Sequence, residues 1–321
     1  MVNVMSIENR YEMVFIYDVR DANPNGDPDS SNMPRMDDGT GENIVTDVRL
    51  KRTIRDYWLA NDKKVLVRAV TDEDGNRKSM DALALDFLGV DKIKKKEASK
   101  YRAKLTKELP EEYIDVRSFG AAVTVKGANI SITGPVQFGL GRSMNIPNIE
   151  SRTITSTLSS GEDKGQGTFG SYHTVDYSLI KFHGVISEIS ASETEFSEAD
   201  VNAVIDAIWC GTKQLNTRSK FNHMPRVLLL VKSKGSKAHI GDLDLTLNLI
   251  EREDIDSPAA ALVETKAFIN RVTKMKDVVD VIQYKFDDEV NFAFDGDSIT
   301  HEEFVNKLSG ITVEELDFTG C

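Results

Sequence analysis

Apolar and polar positions along the chain fall into runs that predict an ordered series of elements. Residues 12–19 (EMVFIYDV) are rich in β-branched and aromatic side chains and predict a central strand. The segment 21–41 is dense in Pro, Gly, Asn and Asp and predicts irregular backbone. Leu50, Ile54, Tyr57 and Trp58 then recur at i, i+4, i+7 and i+8, the stripe of a helix that Thr46 or Asp47 can cap. Residues 60–118 are polar and Lys-rich, with weak helical periodicity over Met80–Leu88, and read as an inserted lobe. Strand patterns return between residues 120 and 138, and the Gly/Ser/Thr-rich stretch 139–172 predicts a protruding hairpin or loop. A strand over 174–186 leads into a helix with Val201, Val204, Ile205, Ile208 and Trp209 on one face. Ser197 and Asp200 have capping-box spacing there, and Phe196 and Val201 hold the two positions of a hydrophobic staple. A strand at 226–231 closes the pattern. The order β, α, insertion, β, protrusion, β, α, β is the ferredoxin-like order of an α+β fold, which RNA-recognition folds also use. Many functions share that fold, so particular residues must carry any functional reading.

Composition changes the picture little, but the placement of charge changes it more. The 321 residues suffice for one large domain with insertions or two smaller ones. Residues 1–19 lack the unbroken apolar stretch of a signal peptide or membrane span, so a cytoplasmic protein without a membrane partner is expected. Cys210 and Cys321 are too few for a disulfide framework or a structural zinc site, and a reducing compartment suits both. The net charge of −12 argues at first against a polyanionic partner. However, residues 251–321 carry 7 basic and 17 acidic side chains, which leaves the first 250 nearly neutral. Basic residues cluster there at Arg49, Lys51, Arg52 and Arg55, and again over 92–107, where eight Lys/Arg meet one Glu. The second run is ambiguous between a solvated face and a DNA-contacting one.

Several motifs match chemistry only in part. Asp21, Asn23, Asn25, Gly26, Asp27 and Asp29 fit positions 1, 3, 5, 6, 7 and 9 of a calcium-binding loop, but position 12 is Asn32 and a strand precedes the loop. Asp21, Asp27 and Asp29 could instead form a Mg²⁺ nuclease site, since hard cations want clustered carboxylates. The run GQGTFG at 165–170 satisfies a dinucleotide fingerprint, yet a strand follows where a helix N-terminus is required. Asn129-Ile130-Ser131 is a glycosylation sequon without consequence in a cytosolic protein. The five histidines show no metal-ligand spacing, and His223, beside the basic TRSK segment, is the one best placed for a general base. No metal and no cofactor is expected. On the first helix, Arg49, Lys51, Arg52 and Arg55 lie away from the apolar stripe and should form one accessible cationic face. Arg20, Arg35, Thr217, Arg218, Ser219 and Lys220 fall at strand ends or loops, where phosphate-contacting groups are commonly held.

The stretch from Arg20 to Arg55, reading RDANPNGDPD, then NMPRMD, then TGENIVTDVRLKRTIRDY, closely resembles the signature of the crRNA-binding backbone subunit of type I CRISPR Cascade complexes. Arg117-Ser118-Phe119-Gly120-Ala121, Thr133-Gly134-Pro135-Val136-Gln137-Phe138, Gly141-Arg142-Ser143, Thr217-Arg218-Ser219-Lys220 and Pro225-Arg226 resemble that family's later blocks, in order. The resemblance covers roughly residues 10–232 and is nearest the I-B branch, with I-C as neighbour. It implies a hand-shaped, non-catalytic subunit: an RRM-like palm (1–59, 119–138 and 174–239), an inserted finger lobe (60–118) and a thumb hairpin (139–173); the acidic C-terminal region (240–321), beyond the resemblance, is expected to complete the fold. It also implies partners, namely the crRNA, target DNA paired to it, neighbouring copies of the chain and other Cascade subunits. On that reading Lys51, Arg52, Arg55, Arg20 and Arg218 to Lys220 neutralise guide phosphates, with Arg35, Arg49, Arg142, Ser143 and Thr217 in the same interface. Asn23, Asn25 and Gln137 would hydrogen-bond sugar or backbone, and Met144 would be the apolar wedge against a displaced base.

Overall fold

The computed structural model describes residues 5–155, 169–236, 238–318 and 321. Its centre is β1 (Tyr11–Ala22), whose alternating side chains are buried on both faces. Met13, Phe15, Tyr17 and Val19 point into one core, and Val14 and Ile16 into another. Burial on two sides explains why the sequence reads as a nearly continuous apolar run instead of a half-buried alternation.

On the first face lie α1 (Asp47–Ala60) and, later in the chain, the longer helix Glu198–Gln214. Thr46 caps α1, and Leu50, Ile54 and Trp58 of the expected stripe are buried, with Tyr57 partly so. Residues 66–132 build a separate third core. It comprises α2 (Met80–Leu88), α3 (Ala98–Glu112), α4 (Ile114–Phe119) and the hairpin Gly120–Val123/Ile130–Thr133. Gly120 has φ +80°, and a Cβ there would meet the Ile132 carbonyl oxygen at 2.1 Å, so the strand entry requires glycine.

β2 (Phe169–Ile186) runs antiparallel to β1 from Ala22↔Val175 to Tyr11↔Ile186. Its other edge receives Val136–Phe138, Gly141–Ser143 and Ile149–Thr155 in succession. The last of these forms a hairpin with 169–175, whose tip, including the first four residues of GQGTFG, lies outside the described residues. After α5 (Glu188–Thr194), the helix Glu198–Gln214, here α6, opens with the expected capping box between Ser197 and Asp200. It packs across α1 at Gly211, where a Cβ would lie 2.9 Å from Tyr57 Cβ. Trp58 Nε1 donates to the Ala203 carbonyl at 3.0 Å across the same contact. β3 (Met224–Ser233) then pairs antiparallel with the free edge of β1.

The C-terminal residues cover the second face. β4 (Val279–Phe286) and β5 (Thr312–Glu315) extend the sheet, so the order runs β5-β4-β3-β1-β2, followed by Gly141–Ser143 and Ile44–Val45. Helices α7 (Lys266–Lys274) and α8 (His301–Lys307) place Phe268, Ile269, Val272 and Phe304 against Val14, Ile16, Leu229 and Val231. The chain then crosses back to α6, where Phe318 stacks on Trp209 at 5.5 Å and Cys321 is bonded to Cys210. This pairing departs from the expectation of two separate thiols. The return of the acidic segment to α6 brings together cysteines 111 residues apart. Among the described residues no helix is long and apolar enough to cross a membrane.

Candidate nucleic-acid interface

The N-terminus of α1, the end of β1 and the loop joining α6 to β3 meet at one place. Asn25 Oδ1 accepts from both the N–H and the hydroxyl of Thr46 at 2.9 Å, so the turn-rich loop is tied to the helix cap. Asn23 N–H donates to the Ser219 carbonyl at 2.7 Å and anchors the second loop to the first. Within that second loop Thr217 and Lys220 exchange backbone hydrogen bonds of 3.0 and 3.2 Å, which closes a tight turn.

The expectation of four accessible cations on α1 is corrected here, because three of them are engaged. Lys51 Nζ lies 3.1 Å from Asp47 and 3.2 Å from Gln137 Oε1. Arg52 Nε faces both oxygens of Asp56 at 2.7 and 2.8 Å. Arg55 Nε donates to Asp115 at 3.0 Å, and that carboxylate is fully buried and also accepts from the N–H groups of Leu66 and Val67. Arg55 thus ties α1 to the inserted lobe. The carboxylates that capture these cations sit four residues away on the helix or, for Arg55, 60 residues on, in α4.

Arg49 differs. It pairs with no carboxylate among the described residues, and neither do Arg20, Arg218 and Lys220. Burial, chiefly, lowers the Arg49 guanidinium below its ordinary range. Burial and then the Arg49 charge bring Lys220 down to about 8. His223 is 2% exposed, its ring lies 5.7 Å from that of Tyr17, and its Nε2 has no hydrogen-bond partner among the described residues. Burial, Arg49 and Lys220 together push it down to about 3. Beside it is a cavity of about 10 Å³ lined by Tyr17, Pro24, Arg49, Thr53, Thr212 and His223 among others, room for a single water. Two cations and a buried polar ring therefore crowd one another with no carboxylate in direct contact among the described residues, and only Asp56 acts on Arg49 from farther off. An anion at the mouth of this cluster would relieve that repulsion.

The other sequence candidates are distributed unevenly around the cluster. Arg20 is exposed and donates to the Asp256 carbonyl at 2.7 Å. Arg218 lies 5.5 Å over the Tyr172 ring. Thr217 is exposed and Ser219 partly so. Arg35 faces Asp27 at 3.4 Å, and Arg142 is held by Asp37 and Glu42 at 2.9 and 3.1 Å. Asn23 is 1% exposed and donates to Asn32, so it organises the loop and does not present its amide. Ser143 is also buried and bridges Asn43 N–H and the Asn145 carbonyl. Met144 corrects the wedge expectation. Its N–H bonds to Leu179 in the sheet, and its side chain, 6% exposed, belongs to the second core. The hairpin with 169–175 starts only beyond it, at Ile149.

Of the carboxylates considered for a metal, Asp21 pairs with Arg152 at 3.0 Å, and Asp27 faces Arg35 and caps Asp29. Among the described residues no group of three or more His, Cys, Asp or Glu is arranged to hold a metal ion. Sequence reasoning weighed His223 as a base and missed its place in the cationic cluster, which only burial reveals. It also passed over Phe221 and Tyr172, although an aromatic inside the basic run TRSKF was a legible signal.

A family model described as CRISPR-associated protein Cas7 matches residues 9–267. The chain is 30% identical over 338 aligned residues to a CRISPR-associated protein Cas7 of Haloferax volcanii, with 98% of each chain covered. Its fold is similar to that of a chain of a CRISPR RNA-guided surveillance complex in a pre-nicking state, with TM-score 0.53, 11% identity and 96% of each chain covered. A chain of a second such surveillance complex gives TM-score 0.51 and 12% identity, covering 96% of this chain and 94% of that one.

Proposed function

Since the chain belongs to the CRISPR-associated protein Cas7 family, we propose that it is a non-catalytic, RNA-binding backbone subunit of an RNA-guided surveillance complex. Copies of it polymerise along a CRISPR RNA, grip its phosphates and present its bases for pairing with target DNA, beside the complex's other subunits. Base pairing reads the sequence in such effectors, so the protein need hold only backbone and shape.

The strand order β3-β1-β2 with α1 and α6 on one face supports an RRM-like palm. The lobe with its own core, inserted after α1, is the finger on this reading, and the hairpin built on Ile149–Thr155 is the thumb. The observation that carries the RNA contact is the cluster of Arg49, Lys220 and His223, whose cations form no ion pair among the described residues, with Arg20 and Arg218 nearby. Guanidinium and ammonium groups held without carboxylates are ready for phosphate oxygens. Lys51 and Arg52, whose partners are partly exposed, can exchange them for phosphate, whereas Arg55 cannot do so without stranding buried Asp115.

The test is titration of the purified chain with labelled single-stranded RNA over a salt series. Charge reversal at Arg49 and Lys220 should weaken binding and reduce the slope of log affinity against log salt by about 0.7 per lost phosphate contact. Unchanged affinity and slope would refute the assignment. The competing reading is an RNA-processing or Mg²⁺-dependent nuclease. It is weakened by the engagement of Asp21 and Asp27 with arginines and by a His223 too weakly basic to take a proton near neutral pH. Specific cleavage of repeat RNA that Asp27→Ala or His223→Ala abolishes would reinstate it.

A further inference from the structure

We infer that Phe221 is a nucleobase-stacking residue, placed so that the base next to a phosphate held at the Arg49–Lys220–His223 cluster lies flat on its ring. This rests on the RNA-binding reading and adds to it a contact with bases. A phenyl ring in water is ordinarily drawn into a core, yet Phe221 is 65% exposed. Its exposure is built in by its neighbours. Ser219 is pinned to Asn23, Lys220 closes the turn with Thr217 and faces Arg49, and His223 is buried against Tyr17. Asn222 takes a left-handed conformation with φ +54°, which reverses the chain between the two. The flanking residues 220 and 223 are thus held inward, and residue 221 is left facing solvent. Within the same loop Arg218 covers the ring of Tyr172, whose hydroxyl donates to the Arg218 carbonyl at 3.0 Å.

The surroundings select a nucleic acid over an apolar protein partner. The exposed ring sits in a run with Arg218 and Lys220, neither of which meets a carboxylate among the described residues. An aromatic platform beside unpaired cations matches the repeating phosphate and base of a single strand. Every base offers a π-face, so the contact is indifferent to guide sequence.

The experiment compares wild type, Phe221→Ala, Phe221→Trp and the Arg49→Ala/Lys220→Ala double variant. Each is titrated with single-stranded RNA carrying 2-aminopurine at successive positions, at several salt concentrations. Phe221→Ala should weaken binding by roughly 5- to 100-fold. It should leave the salt slope unchanged, since stacking releases no counterion. It should also abolish a 2-aminopurine emission change seen with wild type, and Phe221→Trp should restore both. The double variant should instead lower the slope. Wild-type affinity in Phe221→Ala, or a loss that tryptophan does not rescue, would overturn the inference. So would loss of self-association without RNA while RNA affinity stays, which would make Phe221 a protein contact. If wild type binds no RNA, the functional reading itself falls. If only the double variant loses affinity, the phosphate site stands and the stacking role fails.

Discussion

Arginines one or two helical turns apart on α1 have different fates, decided by where their counter-charges lie. Arg52 and Asp56 form an exposed i,i+4 pair, so Arg52→Ala should cost less than about 0.5 kcal/mol in urea unfolding. Arg55 compensates a carboxylate with no solvent access, and Arg55→Ala should destabilise by about 3 kcal/mol in the same assay. His223 gives the residue scale its pH dependence. Its folded-state pKa of about 3 lies below the unfolded value of 6.5, so the unfolded chain binds the extra proton between those limits. Its contribution to stability is intact above pH 6.5 and declines as pH falls toward 3, by about 2 kcal/mol at pH 5. Arg49 and Lys220 are the charges facing it, and both oppose its protonation. His223→Gln should therefore flatten the loss between pH 7 and pH 5, measured by urea midpoints, and an unchanged pH profile would contradict the assignment.

At the scale of elements, the crossing of α1 and α6 sets the position of Arg49 relative to the loop that carries Lys220. Gly211 permits the close approach, and the Trp58 and Tyr57 side chains fix it through Ala203 and Asp206. Gly211→Val should push the helices apart and cost on the order of 1–3 kcal/mol. It should also weaken RNA binding, because Arg49 and Lys220 would no longer converge. RNA affinity retained in a folded Gly211→Val protein would show that the convergence is dispensable. The helix periodicity and the capping box were readable because they depend on residues a turn apart. The Gly/Ser/Thr-rich stretch 139–172 predicts a single protruding hairpin or loop, whereas Gly141–Ser143 is sheet and the described hairpin pairing begins only at Ile149. Three residues pairing with a distant strand leave little periodic signal.

At the scale of the whole molecule, the acidic C-terminal region covers the second face of the sheet and returns to α6. The Cys210–Cys321 bond closes a segment of 111 residues, for which chain entropy suggests about 4–5 kcal/mol. Treatment with a dithiol should lower the urea midpoint accordingly, and Cys321→Ser should abolish the difference between oxidised and reduced protein. The Phe318–Trp209 stack remains as the noncovalent tie. The acidic balance of this region also explains how a chain of net charge −12 can offer a local cationic site. At low ionic strength the distant carboxylates should oppose RNA. They are screened within about 10 Å at 0.1 M salt, while the clustered cations act at contact range.

The sequence by itself determined the α+β order of elements, the two capped helices and the family, because strand and helix periodicity and the long Gly/Pro/Asn/Asp blocks are local properties of the chain. It also located the basic segments, and so the neighbourhood of the candidate interface. Only the tertiary structure decided which cations are free. Asp115 reaches Arg55, and Asp37 and Glu42 reach Arg142, across 60 or more residues, and such pairings follow from packing and not from spacing. The same packing buried Met144, left Phe221 in solvent, and brought Arg49 of α1 to Lys220 and His223 of the α6–β3 loop with no ion-paired carboxylate among the described residues.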